Sequence, residues 1–144
     1  MKNNSALITR IAIGKTIGFI IGLIGFFMLP QFMPDVSMQL QWGVLLWYIT
    51  FGAIIGVFGE LTFIPIINIS FPWWIRNPYI GGWLNLVLCL VAYQEFEMLF
   101  KAFYDSYGIF ASPYWIVVEG MIVGLIIGFV TNKFTHESSN TTAE

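Results

Sequence analysis

Apolar residues fall in four long blocks along the chain, and polar residues collect between them. The first block is Ile11 to Leu29, interrupted only by Lys15 and Thr16, with Pro30 and Pro34 marking its end. The second runs from about Trp42 to Ile64, with Glu60 near its far end and Pro65 just beyond. A third opens near Ile80 and stays apolar to Tyr93 apart from Asn85, and a fourth runs from about Tyr114 to Val130. A helix needs roughly 17–25 residues to cross a hydrocarbon core of ~30 Å. The pattern therefore predicts four membrane spans, at about residues 11–29, 42–64, 80–100 and 114–130.

The third span continues past its apolar stretch in a different form. Phe96, Leu99, Phe100, Phe103 and Tyr107 recur at helical spacing and form one apolar stripe. Glu97, Lys101 and Asp105 step by four residues on the opposite face, the spacing of a ladder of ion pairs. This predicts an amphipathic extension of helix three near the membrane surface, broken by Gly108, Ser112 and Pro113 before the fourth span. The fold class expected is an all-α integral membrane protein, a four-helix transmembrane bundle with that extension. Residues 1–131 form one domain, and the polar tail 132–144 is expected to be disordered.

The connection from Pro65 to Tyr79 fits neither pattern. Pro65, Pro72 and Pro78 argue against a continuous helix, yet the segment is too apolar to sit in water. Trp73 and Trp74 suit an interfacial anchor at the headgroup level. A partly re-entrant segment is the other reading, and it requires protein or water around its backbone.

Composition supports lipid as the solvent. The chain is 58% hydrophobic and only 10% charged, whereas soluble domains carry roughly 25% charged residues. Of the six Lys and Arg residues, Lys2, Arg10, Lys15, Arg76 and Lys133 fall on one side of a four-span topology, and Lys101 alone on the other. The positive-inside rule then puts both termini in the cytoplasm, in a bacterial-type inner (plasma) membrane. The N-terminal run resembles a signal peptide only superficially, because no small-x-small site follows it; it is read as a retained first span. The two sequons, Asn68-Ile69-Ser70 and Asn140-Thr141-Thr142, fall on the cytoplasmic side in this orientation.

The net charge of −2 comes with no basic cluster for nucleic acid. Cys89 is the only cysteine, so no intrachain disulfide or cysteine metal cage forms. The single His, His136, rules out paired-histidine metal sites and disfavours a His-based triad. No GxSxG or phosphate-cradling motif is present. No enzymatic activity, metal or other cofactor is expected.

Two features remain as candidate chemistry. Glycines recur four apart: Gly14, Gly18 and Gly22 in the first span, Gly52 and Gly56 in the second, Gly120, Gly124 and Gly128 in the fourth. Such rows let helix backbones approach closely, either within the chain or in self-association. Ionisable residues inside spans are costly and mark candidate sites. Lys15 and Glu60, each read as about one turn from the cytoplasmic boundary, are a candidate ion pair, with Asn85 near the same level. Glu95 and Glu119, toward the outer side, join Glu60 as candidate proton or cation sites.

Span count suits small multidrug-resistance transporters and small fluoride channels. Lys15 stands in the span where the former carry their glutamate, however, and the glycine-arginine signature of the latter has no counterpart, so neither family is adopted. Two functional classes are expected. One is a non-catalytic accessory or scaffold subunit that self-associates or packs with other membrane subunits. The other is a small oligomeric transporter or channel for protons, cations or a small solute, using its intramembrane carboxylates.

Overall fold

A computed structural model describes residues 2–59, 71–104 and 111–140, with side chains for 6–59, 71–102 and 111–134. Among these residues the chain is all helical, with five helices: α1 (Lys2–Phe32), α2 (Met38–Phe58), α3 (Trp73–Val91), α4 (Tyr93–Tyr104) and α5 (Trp115–Asn140). Three of them, α1, α2 and α5, are long and apolar enough to cross a membrane, and a fourth span results if α3 and α4 count as one bent unit. Exposed positions on the helices are largely apolar, including Phe27, Tyr79, Leu90 and Val91. Such a surface is compatible with hydrocarbon and unusual for water.

Helix boundaries depart from the apolar blocks for local reasons. α1 starts at Lys2 rather than Ile11 and runs through Pro30 to Phe32. A proline in the last turn removes one backbone bond without stopping the helix. Ser37 then caps α2, its hydroxyl accepting from the Leu40 amide at 3.1 Å. α2 closes at Gly59, whose amide donates to the Ile55 carbonyl at 2.8 Å.

The third span differs most from expectation. α3 begins at Trp73, directly after Pro72, whose carbonyl accepts from the amides of Ile75 and Arg76 at 3.0 and 3.1 Å. Pro78 lies inside the helix. Residues 73–79, expected as part of an irregular connection, are thus its first two turns, and residues 65–70 of that connection lie outside the described residues. At the other end the backbone leaves helical geometry at Ala92 (φ −114°, ψ 38°). α4 departs at 96° to α3. The amphipathic extension is therefore a separate helix lying across the end of its neighbours.

Of the apolar stripe, Phe96 is buried with Cys89 and Ile116, and Leu99 and Phe100 lie partly buried against that cluster; the Phe103 side chain and Tyr107 lie outside the described residues. On the opposite face Lys101 Nζ donates to Glu97 Oε1 at 2.9 Å, both side chains being substantially exposed. Asp105 lies outside the described residues. α5 also runs past its expected end. The tail expected to be disordered is helical to Asn140, since no glycine or proline follows Gly128 to break it.

Two antiparallel helix pairs make up the fold. In the first, Gly14, Gly18, Gly22 and Gly25 of α1 face Gly52, Tyr48, Leu45 and Val44 of α2, and Gly56 faces Arg10 and Ile11. In the second, Gly81 faces Gly120, and Gly124 and Gly128 face Asn77. An added Cβ at Gly14 would overlap the Gly52 carbonyl, and one at Gly81 the Gly120 carbonyl, so each pair touches backbone to backbone. Between the pairs the packing changes character. Phe51 and Ile55 of α2 meet Val123 and Ile127 of α5, with Ile17, Ile21, Ile80 and Leu84 around them.

Candidate functional site

At the end where α4 crosses, side chains from all five helices line a half-open cavity of about 260 Å³, at which both Glu95 and Glu119 keep exposed surface. Its walls are mostly aliphatic and aromatic, with Phe32, Trp47, Phe96 and Phe100 among them. Two carboxylates line it, Glu95 from the first turn of α4 and Glu119 from the first turns of α5. The structure thus brings two of the three candidate carboxylates to one space.

The polar groups of this cavity are held from α2. Tyr48, buried 10 residues into α2 and packed by its ring against Phe51 at 5.9 Å, donates its phenol to Glu119 Oε1 at 2.6 Å. Trp47, the preceding residue, turns to the other pair and donates its indole N–H to Asn85 Oδ1 at 3.1 Å. Asn85 is fully buried, and its amide nitrogen donates to the Ile116 carbonyl at 2.9 Å. One layer of side chains therefore ties α2 to both α3 and α5. Asn85 belongs to this layer, and not to the level of Lys15 where the span boundaries would put it.

A second polar level lies at the opposite end. Arg10 Nη2 donates to the Gly59 carbonyl at 3.1 Å and to Asn132 Oδ1 at 3.3 Å. Arg76 Nη2 donates to the same carbonyl at 2.7 Å, and its Nη1 to the Phe71 carbonyl at 3.4 Å. Both guanidiniums are buried, at the C-terminal end of α2 where helix carbonyls favour positive charge.

Lys15 takes no part in that level. It follows Gly14, opposite Gly52, and its side chain is exposed on the outer face of α1. Glu60, its expected partner, lies outside the described residues; Gly59 just before it lies against Arg10, not Lys15. The glycines Gly14, Gly18, Gly22, Gly52, Gly56, Gly120, Gly124 and Gly128 all face a neighbouring helix within the chain.

Tyr48 and Trp47 do not stand out in the sequence, where aromatics at span ends are routine. Their position is the available signal: a Tyr 10 residues inside a helix is too deep for the headgroup belt and needs a buried partner. Among the described residues, no group of three or more His, Cys, Asp or Glu side chains is placed to hold a metal ion. Comparisons with protein-family models, curated proteins and solved structures find no match.

Proposed function

We propose that the chain is an integral membrane protein, a four-span helical bundle of a bacterial-type inner membrane, that acts as a small carrier for a solute bound at the Glu95–Glu119 cavity. The single observation behind this reading is that cavity. Two carboxylates from different helices face one apolar space within or beside predicted spans, where ionisable groups are costly and usually functional. A carboxylate in such surroundings calls for a cation or a proton. The α4 end, carrying Lys101 alone among the basic residues, faces outward in this topology, and the Arg10–Arg76 level faces the cytoplasm. Self-association in the membrane through the exposed faces of α1 and α5 belongs to the same proposal.

The test is transport by purified protein in proteoliposomes that enclose a pH-sensitive dye. A panel of small cationic, zwitterionic, anionic and neutral solutes is added under an imposed pH gradient. At least one solute is expected to move, or to exchange for protons, at a rate that Glu119→Gln reduces at least tenfold. If no member of the panel moves, or Glu119→Gln leaves every flux unchanged, the carrier reading fails. The accessory or scaffold role would then stand in its place, to be pursued by affinity isolation of membrane subunits.

A further inference from the structure

We infer that the cavity binds an organic monocation with an apolar body of about ten heavy atoms, its charge held at Glu119 and its body against the aromatic walls. This rests on the proposed carrier reading and narrows it to a substrate class. Three observations converge on it.

The first is charge. Among the described residues, no Lys, Arg or His lines the cavity, while two carboxylates do. An anion would meet like charge with nothing to offset it. The donors in the lining are also engaged: the Tyr48 phenol with Glu119, and the Trp47 indole with Asn85. What remains open is acceptor capacity on Glu95 and on the second oxygen of Glu119. A ligand must therefore bring positive charge or donors.

The second is the wall chemistry. Phe32, Trp47, Tyr48, Phe96 and Phe100 all line the space. Aromatic faces attract cations through the ring quadrupole, more strongly away from water. They also bury the apolar body of the same ligand. A small hydrated metal ion would leave these walls uncovered, and two carboxylates without a third ligand are a poor match for one.

The third is size. An apolar cavity of about 150 Å³ takes a single benzene ring. The 260 Å³ here extends that to one ring with a short ammonium-bearing substituent. On one side the space is bounded by α4, whose Phe96, Leu99 and Phe100 line it.

The experiment is titration calorimetry with the full chain in phosphatidylcholine nanodiscs, using three probes. Benzyltrimethylammonium carries both charge and body, neopentylbenzene is its neutral isostere, and tetramethylammonium is the charge without the body. Benzyltrimethylammonium is expected to bind saturably, with each of the other two at least tenfold weaker. Glu119→Gln, which keeps an acceptor for the Tyr48 phenol, should weaken it at least tenfold. Glu97→Gln, on the exposed face of α4, should leave it unchanged. Should Glu119→Gln fail to fold, Leu99→Trp tests the same site by filling it, and is expected to abolish binding.

Equal affinity for neopentylbenzene, or unchanged binding in Glu119→Gln or Leu99→Trp, would overturn the cationic class while leaving the cavity as a solute site. Absence of binding by all three probes would also overturn it. The carrier reading is decided separately by the proteoliposome panel, which includes zwitterions and anions.

Discussion

Replacing Gly120 and Gly43 by alanine, one at a time, makes the same chemical change in two opposite settings. At Gly120 a new Cβ would lie 2.5 Å from the Gly81 carbonyl oxygen, 2.7 Å from Asn85 Cβ and 2.8 Å from Asn85 Cγ. Each falls roughly 0.6–0.9 Å short of ordinary van der Waals contact, so α3 must retreat from α5. A radial gap of that order forfeits a quarter to a half of each dispersion contact along the interface. It also stretches the Asn85 bond to the Ile116 carbonyl, now 2.9 Å. Overpacking of this kind costs about 1–3 kcal/mol, against a helix-propensity gain of up to ~1 kcal/mol for alanine. The net expectation for Gly120→Ala is a loss of about 1–2 kcal/mol. At Gly43 nothing lies within 4 Å of the added atom, and only the propensity term acts. Gly43→Ala should be neutral or stabilising by up to ~1 kcal/mol. Equilibrium unfolding by sodium dodecyl sulfate in mixed micelles, followed by far-UV circular dichroism, resolves a difference of about 2 kcal/mol, roughly thirtyfold in equilibrium constant. Equal shifts for the two variants, or a stabilising Gly120→Ala, would refute the close α3–α5 packing from which the figure is worked.

Three further outcomes are expected. Asn85→Leu keeps the volume but removes two hydrogen bonds; at the strengths found in membranes it should cost about 1–2 kcal/mol in the same unfolding assay. Lys15→Met, at an exposed side chain, should shift stability by no more than about 0.5 kcal/mol, whereas Arg10→Met, buried between Gly59 and Asn132, should cost about 2 kcal/mol or more; equal effects would put Lys15 in a buried pair after all. Reporter fusions after Glu144 and within residues 30–41 should report cytoplasm and exterior respectively, and a C-terminus outside would remove the proposed topology.

Helical segments and the amphipathic face of α4 are legible in the sequence because both rest on periodicity. The stripe through Phe96, Leu99 and Phe100 is read from spacing alone, and those side chains are the ones that pack inward. The bend is not legible, because Ala92 is neither glycine nor proline and carries no breaking signal. Its geometry follows from burying Phe96 against Cys89 and Ile116, a tertiary effect. The start of α3 is hidden by Pro78, which normally argues against a helix interior. Half of the α3–α5 contact is hidden too. The row in α5 shows glycines four apart, but its partners on α3 are Asn77, Gly81 and Asn85, a mixed set that a search for glycine spacing passes over. The carboxylates are legible as rare charges in or beside apolar blocks, yet their meeting at one cavity is not, since that cavity is lined by residues on five helices.

The location of the cavity follows from how the two kinds of helix contact differ. Within each pair, glycines bring backbones together and leave no room for a ligand. Large side chains keep the pairs themselves apart, and there the bonding is directional. Tyr48 to Glu119, Trp47 to Asn85, Arg10 to Asn132 and Arg76 to the Gly59 carbonyl all join one pair to the other. These bonds fix the register of the seam, with Phe51, Ile55, Val123 and Ile127 filling the space between the two polar levels. Past the Tyr48 level the seam has no glycine contact to close it, and α4 covers it instead. The cavity lies there. Its carboxylate Glu119 is therefore also a tie between the pairs, and any ligand that competes with Tyr48 for that carboxylate acts on the seam as well as on the site.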